Sequence, residues 1–150
     1  MLSNAYPMHV LGFQEAVDLI VEKHPCYRSE AYFFLHDTLN FSLKRRRKNR
    51  KNPSVHLSAL ELLEGFRAKA LQEFGPMAIT VLYYWGIKKC EDIGQMVFYL
   101  IETGVLGRTQ DDTLSTFSNV FDFEEAFVTP FQPKSSFVST AELPVLKNNL

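Results

Sequence analysis

Apolar residues recur at helical spacing along most of this chain. Phe13, Ala16, Val17, Ile20 and Val21 stand at i, i+3, i+4, i+7 and i+8, one stripe along a first helix that Pro25 ends. A second helix is predicted over about 28–44. Ala31, Phe34, Leu35 and Leu39 form its stripe, and Tyr32, Phe33, Phe41 and Leu43 widen it until the helix is nearly surrounded. That marks it as the central helix. Glu30 falls in its first turn and cations at its last, the order the helix macrodipole favours. Residues 44–56 read as a loop, with Asn52-Pro53-Ser54 supplying turn chemistry.

The next start has the fullest signature in the chain. Ser58 and Glu61 have the spacing of a capping box, and Leu57 and Leu62 that of the matching hydrophobic staple. This helix runs through Phe66 and Ala70 to about Phe74. Gly75-Pro76 then reads as a stop followed at once by a start, with a short helix over about 76–85 that ends at Gly86. Ile93, Met96, Val97, Leu100 and Ile101 repeat the apolar stripe over about 91–103. Gly104 suits the left-handed position after that helix, with Val105 placed to touch Leu100. Asp111 or Asp112 is expected to cap a short helix through Phe117. Asp122 and Glu125 suggest a weaker box around Phe123, Ala126 and Phe127, although the Phe121-Asp122-Phe123 alternation also suits a short extended piece.

The expected architecture is all-α: one domain of five or six helices over residues 1–127, with the basic loop inserted. Residues 128–150 read as a tail, extended or disordered, or strapped to the surface by Phe131, Phe137, Val138, Leu143 and Leu146. A chain of 150 residues buries about 70% of its unfolded surface and so needs no metal or disulfide staple.

Several stretches together carry a resemblance. They are Glu30-Ala31-Tyr32-Phe33-Phe34, Glu61-Leu62-Leu63-Glu64-Gly65-Phe66-Arg67, Gln72-Glu73-Phe74-Gly75-Pro76-Met77-Ala78, Trp85-Gly86-Ile87, Glu91-Asp92-Ile93-Gly94 and Phe121-Asp122-Phe123-Glu124-Glu125-Ala126-Phe127. The chain resembles, over about residues 13–127, a family of small uncharacterised proteins restricted to the Verrucomicrobia–Planctomycetes group of bacteria. The resemblance implies no activity, cofactor or catalytic residue. Residues 44–51 and the tail have no shared pattern, so a role placed on the basic run would belong to this member alone.

Charge changes the picture most. Lys44, Arg45, Arg46, Arg47, Lys48, Arg50 and Lys51 crowd into eight residues, interrupted only by Asn49. They are seven of the sixteen Lys and Arg in the protein. The other nine face seventeen acidic residues, so the formal net of −1 hides a strongly dipolar molecule. A cationic cluster attracts polyanions, because each phosphate contact releases a condensed counterion. The bland reading of the run is a solvated loop. The sharper reading is a contact for an anionic partner, with RNA or a ribonucleoprotein favoured. Such a contact would read the backbone rather than the bases, since the run has no interleaved aromatics. The alternative is a protein–protein adaptor that uses the acidic surface or the aromatic tail, with the basic loop incidental.

No catalytic constellation emerges. His24, Cys26, His36, His56 and Cys90 lack a zinc spacing, so no metal site and no cofactor are expected. Cys90 stands near a helix start but has no base nominated beside it, and a buried or capping thiol explains it better. Glu91-Asp92, Asp111-Asp112 and Glu124-Glu125 suit helix starts rather than a cleft. A helix-turn-helix over 76–103 would have a recognition helix carrying Glu91, Asp92 and Glu102 without a Lys or Arg, poorly matched to a phosphate-lined groove. Gly104 to Arg108 lacks the spacing and lysine of a phosphate loop. Two cysteines make no disulfide framework. The first residues lack a signal-peptide pattern, and no window is apolar enough to span a membrane. A reduced, cytoplasmic, non-enzymatic binding protein is the expectation.

Overall fold

The computed structural model describes residues 10–49, 57–107 and 114–133. Among them are six α-helices: α1 (Val10–Lys23), α2 (Ser29–Asn49), α3 (Ala59–Phe74), α4 (Ala78–Trp85), α5 (Cys90–Glu102) and α6 (Phe123–Phe127). Short 3-10 turns occupy Gly75–Met77, Leu114–Phe117 and Thr129–Phe131, and no strand occurs among the described residues. The described residues form one all-α domain.

Helix α2 is central, as its wide apolar surface predicts. It packs against α1, α3 and α4. Ala31, Tyr32, Phe34, Leu35, Leu39 and Leu43 are buried along it. Phe34 meets Phe66 of α3 edge to face at 5.1 Å and Trp85 of α4 at 5.4 Å. Each such side chain contributes about 1.5–3 kcal/mol when fully buried, so these contacts decide the arrangement. α3 lies antiparallel to α2 and approaches closely where Gly65 faces Ser42. A β-carbon on Gly65 would stand 1.8 Å from the Ser42 hydroxyl oxygen.

The start of α3 is built as its sequence signature predicts. The Glu61 N–H donates to the Ser58 hydroxyl at 3.1 Å, and the Ser58 N–H donates to the Glu61 carboxylate at 3.0 Å. Leu57 and Leu62 are both fully buried, as a hydrophobic staple requires. At the far end of α5, Gly104 is left-handed at φ 87° and its N–H reaches the Ile101 carbonyl at 3.0 Å. The Leu100 carbonyl accepts from the Thr103 hydroxyl at 2.8 Å. Asp122 caps α6, accepting from the Glu125 N–H at 3.0 Å.

One sequence expectation is corrected. Residues 44–56 do not begin as a loop, because α2 continues through Asn49. The physical reason is that Lys and Arg are good helix formers, and cations are stabilised at a helix C-terminus. The first breaker, Pro53, comes later in the chain. The apolar stripe ends at Leu43, but helix propensity does not. Within the expected tail, a 3-10 turn over Thr129–Phe131 packs on α6. The expected caps at Asp111 and Asp112, and the segment 134–150, lie outside the described residues.

Candidate functional site

The cationic run starts where α2 leaves the core. Leu43 is buried, whereas Lys44 and Arg45 are exposed. Five cationic residue types in succession, Lys44 to Lys48, occupy the last turns of α2. Arg50 and Lys51 lie outside the described residues. The Arg45 guanidinium sits over the Phe41 ring at 5.5 Å. From the other helix, the Lys69 ammonium lies 5.8 Å from that ring and 5.4 Å from Phe34. Lys69 is itself paired with Glu73. The Phe41 ring therefore already serves two cations of this chain.

Two open grooves flank α4. The first, about 500 Å³, is walled by Pro25, Cys26, Arg28, Glu30, Tyr84 and Trp85. Its polar wall is arranged by stacking. The Arg28 guanidinium lies 4.4 Å from the centre of the exposed Tyr84 ring, and 3.8 Å from the Glu30 carboxylate. The second groove, about 560 Å³, is walled by Lys88, Lys89, Glu91, Asp122, Glu124 and Glu125, among others. Among the described residues, neither wall contains a histidine.

Cys90 lines the second groove at the first position of α5. Its thiol is buried and donates to the Phe121 carbonyl at 3.4 Å. Burial is the largest influence on its pKa and pushes it up, outweighing the lowering by the Phe121 and Val120 backbone. A thiol kept protonated is a poor nucleophile. This agrees with the structural reading of Cys90 from sequence.

Asp92 is a residue whose part sequence reading did not anticipate. One of its carboxylate oxygens accepts from the Tyr27 hydroxyl at 2.7 Å. The other accepts from the Lys88 and Lys89 N–H groups at 2.8 and 3.1 Å. It caps α5 and ties that helix to the α1–α2 connection. The Arg28 N–H adds a bond to the Trp85 carbonyl at 3.0 Å. Burial and the Asp92 carboxylate together push the Tyr27 phenol far above the ordinary tyrosine range. The available signal was an acid three residues inside a helix start. Its phenol partner, 65 positions away in sequence, was not legible.

The His24 ring stacks on Tyr99 at 4.2 Å, His36 lies against Phe13 at 4.6 Å, and Cys26 is exposed. No group of three potential metal ligands forms among the described residues. His56 lies outside them. No helix among the described residues is long and apolar enough to cross a membrane.

No protein-family model matches this chain, nor does any curated protein or solved structure.

Proposed function

We propose that this chain is a non-enzymatic binding protein that docks on an anionic partner through Lys44, Arg45, Arg46, Arg47, Lys48, Arg50 and Lys51. RNA or a ribonucleoprotein is the favoured partner. One observation carries the reading: α2 continues for six residues beyond the buried Leu43, and the first two of them, Lys44 and Arg45, are exposed. That is about 9 Å of helix with cationic residue types and no apolar one. Core packing does not account for such an extension. Seven cations within eight residues give a locally high positive potential on a molecule whose remainder is strongly acidic. The acidic remainder repels the same polyanion wherever that polyanion comes within a Debye length, about 10 Å, of it, which limits the footprint to this end of α2.

The test is the salt dependence of binding. Fluorescence anisotropy of a labelled single-stranded RNA is followed from about 50 to 200 mM salt. Five phosphate contacts predict a slope of log K against log salt near about −3.5, and seven predict about −5. Undetectable binding at the lowest salt, or affinity indifferent to salt, overturns the proposal and turns attention to a protein partner.

A further inference from the structure

We draw no further inference here: the strongest candidate, the exposed aromatic surface of α4 at Tyr83 and Tyr84 between its two flanking grooves, carries nothing because nothing in the structure shows what covers it.

Discussion

Gly86 shows how one residue can hold two connections together. It ends α4 in the left-handed region at φ 97°, and a β-carbon there would stand 2.4 Å from the Cys26 carbonyl oxygen. Its place as a helix stop was legible from sequence. The close approach of the 24–28 segment was not, because nothing local encodes it. Gly86→Ala should cost about 2 kcal/mol or more, from the left-handed backbone alone plus the clash. A urea titration checks this, and an unchanged midpoint would contradict the close approach. The buried phenols and thiol set a pH limit. Tyr27, Tyr32 and Cys90 all have pKa values raised chiefly by burial. A raised pKa stabilises the fold below the unfolded value and is lost as pH rises through the folded value. Stability should therefore hold up to about pH 8 and fall above it. The thiol leads near about 8.5 and the phenols follow beyond about 10. Thermal melts across that range test the order, and Cys90→Ala should remove only the earlier part of the decline.

Helix starts were the most legible elements. Ser58 and Glu61 announce α3 because a capping box is purely local, and the structure makes both of its hydrogen bonds. Ser58→Ala should cost about 1 kcal/mol, read as a lower urea midpoint, with Ser58→Asp near wild type. Loss of less than a few tenths would mean that the staple of Leu57 and Leu62 fixes this end unaided. Helix ends without a Gly or Pro were less legible. The end of α2 was misplaced because the apolar stripe stops at Leu43, while the helix-forming Lys and Arg that follow carry no stripe to read. Contacts between elements were least legible. The approach of Gly65 to Ser42 fixes how α2 and α3 lie together. Neither residue signals the other in sequence.

At the scale of the whole molecule, charge and fold are separate designs. The all-α class and the central position of α2 follow from apolar spacing, which is local and periodic. The candidate site follows from composition: seven cations gathered at one place and an acidic remainder elsewhere. Sequence located that cluster, and the structure changed its form from loop to helix over Lys44 to Asn49. The consequence is a compact source of positive potential whose removal should leave the core intact. The most direct measurement of that claim is RNA affinity at about 50 mM salt, where phosphate contacts are strongest, for wild type beside a variant with Arg45, Arg46, Arg47 and Arg50 all changed to Ser. The account predicts at least about a tenfold loss of affinity and a urea midpoint close to wild type. An equally tight complex from the variant would contradict it.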